Sequence, residues 1–194
     1  MSFSSEVKSE LAKLIPDEEC CKTAEAYGLV ECGHTFSPAS ISINTENPDV
    51  FNTYLTFVSS VCGIEPSLAE ISVRPSGIHT IRISEYSDRI KVLERFGHSA
   101  NDVTIRLNRA NLECERCAAS YLRGAFLSCG ALADPNADYH LELSVPYYRL
   151  SMDIMALMRE LDFNVKLVKR KGSNVLYMKD SEQIEPFLNL IGAT

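Results

Sequence analysis

The residues of this 194-residue chain with the most chemistry in them are its seven cysteines, Cys20, Cys21, Cys32, Cys62, Cys114, Cys117 and Cys129. The run "CERC" from Cys114 to Cys117 has the spacing of half a structural zinc site, since a thiolate is a soft ligand and C-x-x-C lets two sulfurs reach one ion. Cys20 and Cys21 form a second pair, and an internal symmetry that brought the two pairs together would make a four-sulfur zinc staple. The other reading is that Cys21 and Cys117 are small apolar residues buried at the entry of packed helices, where reduced cysteine is common. Adjacent cysteines are not a usual zinc pair and no histidine accompanies them, so the expectation is of buried thiols, with no metal and no cofactor. An odd number of cysteines fits a reducing compartment better than a disulfide scaffold.

The remaining chemical groups are sparse. His34, His79, His98 and His140 stand apart from any serine or cysteine nucleophile pattern, which points to structural roles. "RKGSNV" lacks the spacing of a phosphate-binding loop, and "DPNADYH" from Asp134 to His140 has the residues of a turn, with too few acids for calcium. The chain is 45% hydrophobic and 23% charged, an ordinary globular balance, and its formal charge is -7. That charge argues against a uniformly basic, nucleic-acid-binding surface but leaves room for a local patch. The opening "MSFSSEVKSELAKLIPDEECC" has no apolar run of secretory length, and no later run approaches a membrane span, so the expected location is the cytoplasm.

The elements that must position these residues are written twice. "AEAYGLVECG" (24–33) and "YLRGAFLSCG" (121–130) are similar, and Gly28 and Gly124 each follow a cysteine, Cys21 or Cys117, by seven residues. After each comes an alternating strand, "ASISINTE" or "YHLELSV". An amphipathic helix follows: "DVFNTYLTFVSSVCGI", with Asp49 as the expected N-cap, and "LSMDIMALMRELDF". Then comes a hairpin, turning at Pro75, Ser76 and Gly77 or around Lys171, Gly172 and Ser173, and a closing helix that ends at Gly97 or Gly192. The predicted fold is therefore α+β, a duplicated αββαββα unit with pseudo-twofold symmetry. Its halves span 1–98 and 113–194, joined by a linker over 99–112. Glycine in a helix interior costs about 1 kcal/mol, a cost offset where two helices cross closely. The motif Ala24, Gly28, Ser120 and Gly124 is the expected crossing.

This duplicated unit with a small-residue first helix resembles the LAGLIDADG homing endonuclease fold. "CCKTAEAYGLVECG" and "CERCAASYLRGAFLSCG" in particular resemble the N-terminal domain of the WhiA family of bacterial transcription regulators. The resemblance covers essentially the whole chain, from "SFSSEVKSELAKL" to "FLNLIGAT". It implies a first domain of a longer protein whose helix-turn-helix domain, which carries most of the DNA binding, lies beyond Thr194. It also implies a role in cell division, chromosome segregation and sporulation, a nucleoid-associated location and possible protein partners.

A LAGLIDADG nuclease places an acidic residue just before the final glycine of each motif helix, because a hard divalent cation needs oxygen ligands. Here that place falls on Cys129 in the second copy and on Cys32 or Gly33 in the first. Glu31 is a step away and, on a helix, about 100° off. The expectation is a protein that is not an enzyme, the alternative being a metal-dependent endonuclease with an altered site. The polar sides of the strands are where DNA would lie, and their candidate contacts are Arg74, Arg82, Lys166, Lys169, Arg170 and Lys171. Residues 1–113 carry ten Lys and Arg against sixteen Asp and Glu, and residues 114–194 nine against ten, so only the second half is expected to touch DNA.

Overall fold

The computed structural model describes residues 1–194. A first helix, α1 (Phe3–Ala12), precedes the repeat. The first copy is α2 (Glu19–Glu31), β1 (Thr35–Ser37), β2 (Ser40–Thr45), α3 (Pro48–Ser60), β3 (Ala69–Val73), β4 (His79–Ile83) and α4 (Tyr86–Arg95). The second is α5 (Cys117–Cys129), β5 (Gly130–Leu132), β6 (Leu141–Val145), α6 (Tyr148–Glu160), β7 (Lys166–Arg170), β8 (Ser173–Met178) and α7 (Ser181–Ile191). The strands form two antiparallel four-stranded sheets of identical order, β1-β2-β4-β3 and β5-β6-β8-β7. The duplicated αββαββα architecture is the one the sequence pattern predicts. The segment joining the copies holds a single 3₁₀ turn, Arg109–Asn111. No helix is long and apolar enough to cross a membrane.

Alternation decides which face of each sheet meets the helices. In β2, Ile43 stands opposite Ile81 of β4 and Ile41 opposite Phe36 of β1, and all four are buried. Leu141, Leu143 and Val145 do the same in β6. The residues between them point to the opposite face. The buried side chains of both copies join in one hydrophobic cluster, so the two halves share a core rather than docking as separate domains.

At the centre of that core α2 crosses α5, and the crossing is reciprocal. A Cβ placed on Gly28 would lie 2.1 Å from the Tyr121 carbonyl oxygen, and one on Gly124 would lie 2.1 Å from the Glu25 carbonyl oxygen. Each glycine thus receives the backbone carbonyl of the residue three before its counterpart. Ala24 is fully buried and Ser120 nearly so, one turn earlier on each helix. A buried ion pair locks the crossing from the side. Arg123 of α5 donates through Nε and Nη2 to the two carboxylate oxygens of Glu25 at 2.9 and 3.1 Å, and through Nη1 to the Ile191 carbonyl. Burial raises the pKa of Glu25, and Arg123 opposes that rise.

Two local features differ from the sequence reading. The N-cap of α3 is Asn47, not Asp49: its side-chain oxygen accepts from the Asp49 and Val50 amides at 2.9 and 3.0 Å, with Pro48 at the first helical position. The Asn47 amide nitrogen also donates to the Ser5 carbonyl, the Ser5 hydroxyl and the Ser9 hydroxyl. One buried side chain therefore starts α3 and fastens α1 to it. The helix α1 lies outside the repeat, and for that reason the repeat did not announce it. Its own cap is Ser2, whose hydroxyl accepts from the Ser5 amide.

Two outcomes follow from these contacts. Gly28→Ala or Gly124→Ala improves local helix propensity yet forces a methyl into a backbone carbonyl, and is expected to destabilise by about 3 kcal/mol, lowering Tm by about 6–12 °C; a variant as stable as the parent in thermal unfolding would contradict the crossing described. Asn47→Ala removes a cap and three further bonds, for an expected loss of about 2–3 kcal/mol, of which Asn47→Ser should restore only the capping share of about 1 kcal/mol, read from urea midpoints.

Candidate functional site

The motif helices end side by side. Beyond Glu31, α2 is closed by Cys32 and Gly33, and α5 ends at Cys129 and Gly130. Between them opens a cleft of about 190 Å³ lined by Cys32, Gly33, His34, Asn44, Ser128, Cys129, Ser144, Pro146 and Ser173. No carboxylate lines it. The Cys32 thiol is raised well above its usual pKa, first by its contact with Cys129 and then by burial, so the α2 end presents a neutral thiol. Hydroxyls, amides and thiols make a poor site for magnesium or manganese, which call for charged oxygen ligands.

Glu31, the carboxylate nearest in sequence, is turned away from this cleft. It is fully buried. The Tyr27 hydroxyl donates to its Oε2 at 2.7 Å and the Tyr121 hydroxyl to its Oε1 at 2.8 Å, while His98 Nε2 lies 3.4 Å from it and 2.7 Å from the Tyr27 oxygen. The Asn108 amide donates to the same tyrosine oxygen. Burial raises the Glu31 pKa, against the pull of His98 and the two phenols. This network ties α2, α5, the end of the first copy and the joining segment together. Sequence reading treated His98 as isolated, although Tyr27 and Glu31, four apart on one helix face, were a signal for a shared polar site.

The strand register sorts the basic candidates. Arg82 stands opposite Ser42 and Glu70 on the face away from the helices, and Arg74 follows Ser72 of that face beyond the end of β3. Lys166 pairs with Tyr177 across from Glu142, and Arg170 pairs with Ser173, on the corresponding face of the second sheet. Lys169 pairs with the buried Asn174, on the helix side of the sheet, so it does not share a face with Lys166 and Arg170. Lys171 occupies the two-residue turn with Gly172, at φ 50°. Two of these charges already face acids. Arg82 has Glu70 as its cross-strand neighbour, and Arg170 donates to Glu142 at 2.6 Å. Glu142 also accepts from His140 at 2.8 Å; burial alone would raise its pKa, but His140 and Arg170 hold it below the usual value.

The other histidines have plain roles: His79 contacts the Gly77 carbonyl and packs edge-on to Phe51, and His34 is exposed at the cleft rim. Asp134 makes the expected turn, accepting from the Asn136 and Ala137 amides. The cysteines depart from expectation. Instead of serving only as packing at the helix entries, Cys20, Cys21, Cys114 and Cys117 gather their four sulfurs within 4.8 Å of one another.

Comparison with known proteins agrees with this geometry. Residues 118–194 match the WhiA LAGLIDADG-like domain. A probable cell division protein WhiA from Ruminiclostridium cellulolyticum is 38% identical over 205 residues, an alignment covering 100% of this chain and 64% of the relative. The chain thus spans just under two thirds of the length of the curated relatives it matches. Their name is that of a cell division protein, not of an enzyme. The crystal structure of the N-terminal LAGLIDADG domain of DUF199/WhiA superposes with a TM-score of 0.72 at 20% identity, covering 100% of this chain and 94% of that one. The homing endonuclease I-DmoI, in complex with DNA and Mn, superposes with a TM-score of 0.55 at 12% identity, covering 90% of this chain and 98% of that one. The chain is thus similar to the WhiA relatives along its whole length, matches their LAGLIDADG-like domain over residues 118–194, and has the LAGLIDADG fold.

Proposed function

We propose that this domain is a non-catalytic module of a WhiA-type DNA-binding transcription regulator acting in cell division, chromosome segregation and, in sporulating relatives, sporulation. In that role the nuclease scaffold serves as a weak DNA clamp or as a platform for protein partners, in the cytoplasm at the nucleoid, while a separate helix-turn-helix domain reads the sequence. One observation carries the non-catalytic reading: the cleft between the motif-helix ends is lined by thiols, hydroxyls and amides without a carboxylate. The nearest carboxylate, Glu31, is held by two phenols and a histidine inside the core.

The weakness of the clamp has its own support. Non-specific affinity for DNA comes mainly from neutralising phosphates. Of the strand-borne cations, Arg82 and Arg170 face Glu70 and Glu142, and Lys169 lies on the helix side, which leaves Arg74, Lys166 and Lys171 to meet a duplex. Three cations spread over two sheets neutralise too few phosphates for tight binding by this domain alone.

Two measurements test these readings. Incubated with supercoiled plasmid and magnesium or manganese, the domain is expected to leave the plasmid intact, and metal-dependent nicking that persists through purification would overturn the non-catalytic assignment. In fluorescence anisotropy with a short duplex at about 0.15 M salt, dissociation constants above about 1 μM are expected, weakening further in Lys166→Glu/Lys171→Glu; sub-micromolar binding at that salt would refute the weak-clamp reading.

A further inference from the structure

The four clustered thiols have a geometry of their own. Cys21 Sγ lies 3.4 Å from Cys114 Sγ and 3.9 Å from Cys117 Sγ, and Cys114 and Cys117 are 3.6 Å apart. Cys20 completes the group within 4.8 Å. All four are free cysteines. A disulfide would require about 2.05 Å, and unrelated packed thiols have no reason to meet in fours. A zinc ion with four sulfurs at about 2.3 Å in tetrahedral array sets those sulfurs about 3.8 Å apart, the edge of the tetrahedron. These three separations straddle that value.

The cluster stands at the starts of two helices. Cys20 and Cys21 lie in the first turn of α2, Cys117 opens α5 and Cys114 precedes it by three residues. Neither helix has a side-chain hydrogen bond at its N-cap, so the sulfurs stand where the free N–H groups and the positive helix ends favour negative charge. The Cys114 amide donates to Cys117 Sγ at 3.4 Å. Such N–H···S bonds orient ligands around a metal. The donor set is all sulfur, which selects a soft-accepting d¹⁰ ion, and its single tetrahedron leaves no position for water or substrate.

We infer that Cys20, Cys21, Cys114 and Cys117 form a closed, structural zinc site that staples the N-terminal ends of α2 and α5. Two ligands come from each copy of the repeat, so the ion cross-links the halves about two helical turns before the Gly28–Gly124 crossing. The adjacent ligands Cys20 and Cys21, unusual as a zinc pair, work here because the partner pair approaches the end of the helix rather than its side. The inference concerns stability and is independent of whether the domain binds DNA.

The test uses untagged protein purified without chelator, with metals measured by mass spectrometry. About one zinc per chain is expected, falling at least fivefold in Cys114→Ser/Cys117→Ser, while Cys129→Ser, outside the cluster, retains it. Because the double variant is open to misfolding, cobalt exchange into the parent protein is the second measurement. It should give the intense visible bands of tetrahedral four-sulfur coordination, and these should change in the single variant Cys20→Ser. Parent protein that is folded, metal-free, reacts at these four thiols with a thiol reagent and gains no such bands with cobalt would overturn the site, as would zinc that stays at one per chain in the double variant.

Discussion

The fold depends on a backbone-to-backbone contact. Where α2 crosses α5, the carbonyls of Tyr121 and Glu25 rest on Gly28 and Gly124, with room for hydrogen and nothing larger. Side chains at an ordinary helix interface adjust their rotamers to absorb change, but a carbonyl fixed within a helix does not. The cost of glycine in mid-helix is thereby exchanged for a crossing that fixes everything placed on the two helices. Their C-terminal tips meet at the thiol-lined cleft, and their N-terminal ends meet at the sulfur cluster. The sheets flank them in matching positions because each is joined to its motif helix by only a few residues.

Much of this was legible in the sequence because repetition doubles every signal. Weak patterns such as "ASISINTE" become credible when "YHLELSV" recurs at the same place after the same glycine motif. What stood outside the repeat was harder to read. The helix α1 has no counterpart in the second copy, and its attachment through Asn47 depends on a tertiary contact. The same asparagine explains the misplaced cap of α3: Asp49 and Asn47 both suit a helix start, and it is the bonds to Ser5 and Ser9 in three dimensions that decide between them. The strands β1 and β5, three residues each, are too short for alternation to register.

The site was legible in composition but not in geometry. Losing acids at Cys32 and Cys129 is a fact of sequence; that Glu31 does not substitute for them is a fact of packing, set by two tyrosines from different helices and a histidine far along the chain. Lys169 joined the basic candidates by proximity in "KLVKRKG", yet strand alternation sends it to the other side of the sheet from its neighbours Lys166 and Arg170. The four cysteines show the same lesson in reverse. Spacing rules drawn from single loops count Cys20–Cys21 as a poor pair, and such rules do not consider helix ends that converge from two halves of a pseudo-symmetric domain.

The buried Arg123–Glu25 pair breaks the symmetry that the glycines keep. By the reciprocal contact, the counterpart of Glu25 in the second copy is Tyr121, and the counterpart of Arg123 in the first is Tyr27. Two first copies brought together would set each Glu25 against a Tyr27 with no cation, and two second copies each Arg123 against a Tyr121 with no acid. Each homotypic union would bury charges without a counter-ion. The lobes have thus become obligate opposites, able to wed each other but not themselves, which turns a self-similar chain away from pairing like half with like half of a neighbour.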